Sequence, residues 1–129
     1  MSPSPVLCVI EDNTAIRNLY CALLKKADYE VVDFENGYSA LAWIEGNTPG
    51  CVIMDILLPD LNGTELIDMI KDLPNGGDIP LIAVTGFAQP EDDVRYVELG
   101  FDSYIAKPVD TATFAERVKT ILAAHKSRT

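Results

Sequence analysis

Short apolar runs alternate along this chain with longer segments of helical periodicity. Between the runs, apolar residues recur three and four positions apart, as they do on the buried face of a helix. The pattern predicts five strands that alternate with five helices. The predicted strands are VLCVI (6–10), YEVVDF (29–34), CVIM (51–54), LIAV (81–84) and SYIA (103–106). The first helix is predicted from a single buried stripe made of Ile16, Leu19, Tyr20, Leu23 and Leu24.

The other helices are predicted from shorter stripes. Apolar residues at helical spacing within 40–44, 66–70 and 114–122 indicate the second, third and fifth helices. The fourth has the weakest pattern, and we place it from about Pro90 to Leu99. Proline suits the first turn of a helix, and a glycine such as Gly100 suits the position after its last turn.

The composition of the strands predicts their order. Strands that alternate with helices form a parallel sheet with helices on both faces. The first, third and fourth runs are continuously apolar, as interior parallel strands are. The second carries Glu30 and Asp33 and the fifth carries Ser103 and Tyr104, which is typical of edges. We therefore predict an α/β fold, a flavodoxin-like doubly wound (βα)5 three-layer sandwich with strand order 2-1-3-4-5.

Length and charge narrow the classes of function. The 129 residues fit one domain, 1–129, with a core of about 5–125. The formal net charge of −10 repels phosphate backbones, so direct nucleic acid binding is not expected. The longest apolar run is too short for membrane insertion. The amino-terminal MSPSP lacks the regions of a secretory signal, so we expect a cytoplasmic protein.

The cysteines and the histidine do not suggest a metal site of their own. Cys8, Cys21 and Cys51 are widely spaced, and the single His125 lies far from all three. Because Cys8 and Cys51 stand in apolar runs, we expect reduced thiols packed in the core.

Polar groups follow four of the five predicted strands. Glu11 and Asp12 follow the first, Asp55 follows the third, Thr85 follows the fourth and Lys107 follows the fifth. The predicted order brings these groups to one edge of the sheet, where ligands bind in such folds. Three carboxylates in one place repel one another, and Mg²⁺, which prefers oxygen ligands, removes that repulsion. With a lysine and a hydroxyl beside it, a carboxylate can accept a phosphoryl group.

Each of these groups also has a plain structural explanation. Asp12 or Asn13 can cap the first helix, and Asp55 can simply end a strand. Thr85 is a common strand residue, and Tyr104 alone is a half-buried aromatic of an edge strand. These explanations do not predict five matching residues at the ends of four strands, so the phosphoryl site is the better interpretation. The glycine-rich NGGD (75–78) lacks the lysine of a P-loop and is predicted to be a loop.

The motifs together resemble those of the receiver domains of two-component response regulators. The acid pair ED (11–12), MD (54–55), LLPDLNG (57–63), VTG (84–86) and YIAKP (104–108) fall in that family's order and spacing. The resemblance covers essentially the whole chain.

The resemblance implies a role for each site residue. Asp55 is the phospho-acceptor, and Lys107 pairs with the phosphoryl group. The cofactor is Mg²⁺ (or Mn²⁺), held by Glu11, Asp12, the Asp55 carboxylate and the backbone carbonyl of Leu57. The donor is a phosphohistidine of a sensor histidine kinase or a histidine phosphotransfer protein. Such a domain promotes its own phosphorylation and dephosphorylation but is not a conventional turnover enzyme.

The resemblance also implies a conformational switch. Thr85 moves to donate to the phosphoryl group, and Tyr104 rotates inward into the space that is vacated. This alters the surface formed by the fourth helix, the fifth strand and the fifth helix, which a downstream protein target or output domain reads. Tyr96 and Val97 are candidates for exposed groups on that surface, and packing against the sheet is an equal alternative for Val97. The peptide bond before Pro108 is expected to be cis.

Two positions that tune the lifetime of the phosphate in the family are apolar here. Leu57 stands two residues after the acceptor, and Phe87 stands two residues after the switch hydroxyl. An apolar rim hinders water, so slow self-dephosphorylation is expected. The small Gly86 leaves room for a donor beside Thr85.

Two other functions remain open on the sequence. One is a phosphate-independent pseudo-receiver, a binding module, although neither the acid pair nor the lysine has degenerated. The other is a hydrolase, for which no further catalytic group is visible. The chain ends soon after the fifth predicted helix, so we expect either a stand-alone regulator or a receiver excised from a longer protein.

Overall fold

The predicted sheet is present in the computed structural model, which describes residues 6–56, 58–74, 76–86 and 92–128. In these ranges five parallel strands form one sheet in the order β2-β1-β3-β4-β5, as the strand compositions predicted. The strands are β1 (Val6–Ile10), β2 (Glu30–Phe34), β3 (Cys51–Asp55), β4 (Leu81–Thr85) and β5 (Ser103–Ala106). The fold is therefore the flavodoxin-like α/β arrangement that the sequence predicts.

The helices follow the strands in the predicted alternation. They are α1 (Thr14–Lys26), α2 (Gly37–Gly46), α3 (Gly63–Lys71), α4 (Asp92–Leu99) and α5 (Phe114–Arg128). Asn13, Asn36 and Asn62 cap the first three, and each side chain accepts the N–H of the residue three positions on. Gly100, with φ of 111°, follows α4, as expected for the end of a helix. The predicted start at Pro90 lies outside the described residues.

The interior strands bury both faces because successive side chains point to opposite sides of the sheet. Cys8, Ile10 and Met54 belong to one core layer, which α2, α3 and α4 cover. Leu7, Val9, Cys51 and Ile53 belong to the other, which α1 and α5 cover. The sheet is thus a rigid middle layer, and the residues at its carboxyl edge are held from both sides.

One residue of the predicted stripe on α1 is exposed, and Ile16 and Leu23 are half-buried. Leu19 is 41% exposed, although the periodicity assigned it to the core. Tyr20, Cys21 and Leu24 are the buried residues of this helix, so its inward face is rotated toward Cys21. The ring of Tyr20 stacks on Phe114 of α5 at 5.0 Å between centroids, which fixes that rotation.

The three cysteines, all within the described ranges, are buried free thiols, as predicted. Burial raises the pKa of Cys8 to about 12, so this thiol stays protonated and unreactive at neutral pH. No helix among the described residues combines the length and the apolar character needed to cross a bilayer.

His125 joins the far end of α5 to two loops below the sheet. Its Nε2 donates to the carbonyl oxygen of Asp78 at 2.9 Å, and its Nδ1 lies 2.5 Å from Oδ2 of Asp102. Asp102 also accepts the N–H of Leu81 at the start of β4. The histidine therefore has a structural role at the edge of the sheet opposite the polar residues.

The loop between α3 and β4 depends on one of its two glycines. A Cβ atom on Gly76 would lie 1.7 Å from the carbonyl oxygen of Ile70, whereas a Cβ on Gly77 meets nothing within 4 Å. We expect Gly76→Ala to lower the free energy of unfolding by about 1–3 kcal/mol, because the backbone must shift. The matched Gly77→Ala should change it by less than about 0.5 kcal/mol. Urea denaturation followed by circular dichroism measures both, and equal effects of the two substitutions would contradict the loop packing.

Candidate functional site

The parallel register places the predicted polar residues at one edge of the sheet. Asp55 ends β3 and Thr85 ends β4, and these strands are neighbours. Glu11 follows β1 on the other side of β3, and its backbone N–H is bound by the Phe34 carbonyl of β2. Lys107 follows β5, and its backbone N–H donates to the Thr85 carbonyl. Residues separated by up to 96 positions therefore meet at this edge.

Lys107 is the centre of the site's charge pairing. Its Nζ lies 2.7 Å from Oδ2 of Asp55 and 3.1 Å from Oε1 of Glu11. The Glu11 side chain is 2% exposed and that of Asp55 is 12% exposed, so neither carboxylate is fully hydrated. One ammonium group therefore compensates two carboxylates that the fold has largely removed from water.

Three carboxylates converge beside the lysine. Glu11, Asp12 and Asp55 each offer an oxygen, and these oxygens lie within 4.8 Å of one another. Burial and a hydrogen bond with Asp12 raise the pKa of Glu11, although the hydrogen bond from Lys107 acts in the opposite direction. The cluster is all oxygen and carries excess negative charge, which is the environment that a hard divalent cation relieves.

The lysine is charged in this environment. Burial acts to lower the pKa of Lys107, but its hydrogen bonds to Asp55 and Glu11 outweigh burial and raise the pKa. A fixed positive charge thus stands next to Asp55, within reach of any anion that approaches that carboxylate.

The first turn of α1 uses neither Glu11 nor Asp12 as its capping residue. The cap is Asn13, whose Oδ1 accepts the N–H of Ile16 at 3.0 Å, so Asp12 is not the capping residue. Arg17, which the sequence analysis did not identify, donates to the Glu11 carbonyl at 2.8 Å and to Asp33 at 2.9 Å. It ties α1 to the ends of β1 and β2. Its position one turn after the cap is the only sequence signal for this role.

The loop after Asp55 is anchored at two points. Gly63 donates to the Ile56 carbonyl at 2.6 Å, an approach so close that a Cβ atom there would lie 3.1 Å from the Ile56 Cα. Asp60 accepts the N–H groups of Gly37 and Tyr38 at the start of α2, at 2.9 and 2.8 Å. No sequence pattern distinguishes Asp60 from an ordinary loop carboxylate, because its partners lie more than 20 positions away.

The residues of the predicted switch are arranged differently from expectation in one respect. Tyr104 is half-buried, as predicted, but Tyr96 is only 5% exposed. Its ring packs 5.2 Å from that of Tyr104, and its hydroxyl donates to Oγ1 of Thr85 at 3.3 Å. The prediction of an exposed Tyr96 is therefore wrong. Val97, the next residue around the helix, is 56% exposed.

Two predicted site residues lie outside the described residues: Leu57, with its proposed carbonyl ligand, and Phe87. The Lys107–Pro108 peptide bond is cis, as the resemblance implies. Gly86 faces open space, since a Cβ atom built on it meets nothing within 4 Å.

Comparison with known proteins identifies the family. A family model described as the response regulator receiver domain matches residues 7–119. The chain therefore belongs to the response regulator receiver domain family. Proteins of this family are signalling modules of two-component systems that work with histidine kinases and downstream targets.

Individual relatives agree in sequence and in fold. The polar-differentiation response regulator DivK of Brucella anthropi is 35% identical over 114 residues, which cover 88% of this chain and 93% of the relative. A CheY-like receiver domain protein from Methanospirillum hungatei superposes with a TM-score of 0.85 at 31% identity, covering 98% of this chain and 100% of that chain. The receiver domain of a sensor histidine kinase from Pseudomonas aeruginosa superposes with a TM-score of 0.82 at 26% identity, covering 94% and 99%. That structure has a magnesium ion coordinated in its active site cleft.

The anchoring of the loop by Asp60 should depend on pH. Burial acts to raise the pKa of Asp60, but the backbone N–H groups of Gly37 and Tyr38 outweigh it and lower the pKa below 3.8. A lowered pKa in the folded state means that the stabilisation is present above pH 3.8 and is lost as the pH falls through the folded value. We expect Asp60→Ala to be less stable than the parent at pH 7, with a difference that shrinks below pH 3.8. Denaturant titrations at several pH values test this, and a difference that grows on acidification would contradict it.

Proposed function

We propose that the chain is a phospho-acceptor, which receives a phosphoryl group on Asp55 from a phosphohistidine of a sensor histidine kinase or histidine phosphotransfer protein. The observation that carries the proposal is the pairing of Asp55 with Lys107 at 2.7 Å, beside the Glu11–Asp12 acid pair, in a chain of the receiver family. It is proposed as a signalling module and not as a conventional turnover enzyme.

In the proposed transfer one bond to phosphorus forms as another breaks, and nearby side chains offset the charge of the phosphoryl group. A carboxylate oxygen of Asp55 forms the new O–P bond as the N–P bond of the phosphohistidine breaks. The electron pair of that bond returns to the imidazole nitrogen of the donor, which the solvent can protonate. The ammonium group of Lys107 offsets the charge on the phosphoryl oxygens, and the Thr85 hydroxyl donates to one of them. Self-dephosphorylation is the attack of water on the same phosphorus atom, which releases inorganic phosphate and restores the carboxylate.

The carboxylate cluster fits a divalent cation. Glu11, Asp12 and Asp55, with the backbone carbonyl of Leu57, would hold Mg²⁺ or Mn²⁺. Bound there, the cation supplies positive charge that offsets the repulsion between the carboxylates and the incoming phosphoryl oxygens. The oxygen-only ligand set and the magnesium ion in the Pseudomonas aeruginosa receiver support this assignment.

The side of the site next to α1 offers a surface for the donor. A groove of about 300 Å³ lies between α1 and the segment after β5, and it is lined by Ile16, Leu19, Tyr20, Lys107, Pro108 and Val109. The groove is mainly apolar and opens beside Asp55's partner lysine. A helical partner that places its phosphohistidine over Asp55 would cover it, which gives the exposure of Leu19 a functional reason.

The response to phosphate is proposed to pass through Thr85 and Tyr104. These residues belong to adjacent strands, and the Arg117 side chain of α5 donates to the Tyr104 carbonyl at 3.1 Å. Movement at Thr85 can therefore reach the surface made by α4, β5 and α5. Val97 is an exposed apolar group on that surface.

The second candidate is a pseudo-receiver that binds its partner without phosphate. The existing bridge between Lys107 and Asp55 is compatible with it, because a charge pair of this kind also stabilises the fold. The complete set of three carboxylates favours the phospho-acceptor, since a module that needs no cation gains nothing from their mutual repulsion.

Labelling with small phosphodonors tests the acceptor. Incubation with acetyl phosphate or phosphoramidate and Mg²⁺ should add one phosphoryl group, detected by intact-protein mass spectrometry. Asp55→Asn should abolish the addition, and chelation of the metal should prevent it. Asp68→Asn, which changes an exposed carboxylate on α3, is the matched control and should label normally. Labelling retained in Asp55→Asn would refute the assignment, and no labelling of the parent protein would favour the pseudo-receiver.

The phosphoryl group on Asp55 is expected to have a long lifetime. Neither Leu57 nor Phe87 carries a polar side chain that could orient attacking water, so self-dephosphorylation should be slow. We expect Leu57→Asn to shorten the half-life of the purified phosphorylated protein, whereas Leu57→Met should leave it nearly unchanged. Decay is followed after removal of the donor. A half-life of seconds in the parent protein would contradict the proposed effect of the apolar rim.

A further inference from the structure

Tyr96 of α4 forms a buried hydrogen bond with the proposed switch residue. Its hydroxyl donates to Oγ1 of Thr85 at 3.3 Å, and the two residues are 5% and 2% exposed. A phenol hydroxyl that is removed from water needs a partner, since leaving it without one is costly. The bond therefore couples the position of α4 to the side chain at the end of β4.

The ring of Tyr96 also contacts the second proposed switch residue. Its centroid lies 5.2 Å from that of Tyr104, at an interplanar angle of 41°, and 6.2 Å from that of Phe101 in an edge-on contact. Tyr96 thus contacts Thr85 with its hydroxyl and Tyr104 with its ring. Any inward rotation of Tyr104 has to displace or repack this ring, because a packed interior has no spare volume.

The hydrogen bond is specific to one arrangement of Thr85. Threonine occupies a few staggered χ1 positions, and a turn from one to another carries Oγ1 away from a fixed partner. A hydroxyl that turns toward a phosphoryl group on Asp55 therefore gives up its contact with Tyr96. The contact stabilises the arrangement in which the Thr85 hydroxyl faces Tyr96, and an interaction present in one of two states biases their populations.

We propose that Tyr96 is a positioning residue of the switch, whose hydroxyl holds Thr85 in the unphosphorylated arrangement and opposes activation. This rests on the proposed phosphorylation of Asp55 and on the proposed role of Thr85. Tyr96 touches neither the phosphoryl group nor the cation in this scheme, and it acts through Thr85. When Thr85 turns away, the ring of Tyr96 can move, and this movement alters the packing of Tyr104 and the position of α4.

The substitution Tyr96→Phe tests the hydroxyl alone, because it keeps the ring and its contacts with Phe101 and Tyr104. The probe is beryllium fluoride, a phosphoryl analogue, titrated at saturating Mg²⁺ into the full chain. A neutral hydrogen bond is equivalent to a factor of about 2 to 10 in an equilibrium constant. We expect Tyr96→Phe to bind the analogue more tightly by about that factor. Tyr29→Phe, which changes another tyrosine away from the site, should bind as the parent does.

A double-mutant cycle separates the proposed coupling from a general effect on the fold. In a Thr85→Val background the acceptor is missing, so Tyr96→Phe should no longer change the affinity for the analogue. An unchanged or weaker affinity in the single variant would overturn the proposal. The same gain in the Thr85→Val background would also overturn it. If the parent protein itself fails to bind the analogue or behaves like Asp55→Asn, the proposed function fails instead.

A measurement on the unsubstituted protein covers the case in which Tyr96→Phe does not fold. Tyrosine labelled with ¹³C at Cζ reports the hydrogen bonding of each phenol by nuclear magnetic resonance. The Tyr96 resonance, assigned through its contact with Phe101, should shift when Mg²⁺ and beryllium fluoride are added, and not in Asp55→Asn. A resonance that does not shift in the parent protein, although the analogue binds, would overturn the proposal.

Discussion

The site depends on a charge imbalance that the fold creates and only partly relieves. Glu11 is nearly inaccessible to water, yet it lies with Asp12 and Asp55 in a cluster whose oxygens are within 4.8 Å of one another. Lys107 is the protein cation that bridges this cluster, and it pairs with two of the three carboxylates. Burial raises the pKa of Glu11, and the hydrogen bonds of Lys107 to Asp55 and Glu11 outweigh burial and raise the pKa of Lys107. The charged form of Glu11 is therefore disfavoured in this cluster, whereas the charged form of Lys107 is favoured. We propose that a divalent cation relieves the repulsion between these carboxylates and supports the proposed phosphoryl transfer.

The two core layers hold this imbalance in place. Because the interior strands are buried on both faces, the groups at their carboxyl ends cannot relax by moving apart. Arg17 ties α1 to the ends of β1 and β2, and Asp60 ties the loop after β3 to α2. The acceptor side of the site is therefore anchored at several points. On the other side, β4 reaches α4 through the contact of Thr85 with Tyr96. This difference between the two sides fits the proposed switch, in which Asp55 stays in place and the response passes through Thr85 to α4.

Membership of the receiver family establishes the fold and the class of signalling module. It does not by itself explain what is particular to this chain. Leu19 is exposed beside the site, while Tyr96 is buried against Thr85. Both departures from the predicted burial occur where the proposed function needs a contact: Leu19 at the proposed donor surface, and Tyr96 inside the proposed switch. Local disagreement between pattern and structure is expected at functional positions.

Local composition was enough to predict the strands, their order and the types of polar residue at the carboxyl edge of the sheet. Strand burial depends on local composition, and the carboxyl ends of parallel strands share one edge of the sheet. The sequence therefore predicts that Asp55, Thr85 and Lys107 lie close together. Which side chains of α1 and α4 are buried, and what they contact, depends on how these helices pack on the sheet. Leu19 was misassigned because the inward face of α1 is centred on the residues around Tyr20, which stacks on Phe114. Tyr96 was misassigned because α4 has only 8 residues, which offer few turns from which to assign an inward face. The partners of Arg17 and Asp60 also required the fold. The spacing of apolar residues indicates that a helix has a buried face. Packing between distant segments decides which residues that face contains and which partners they contact.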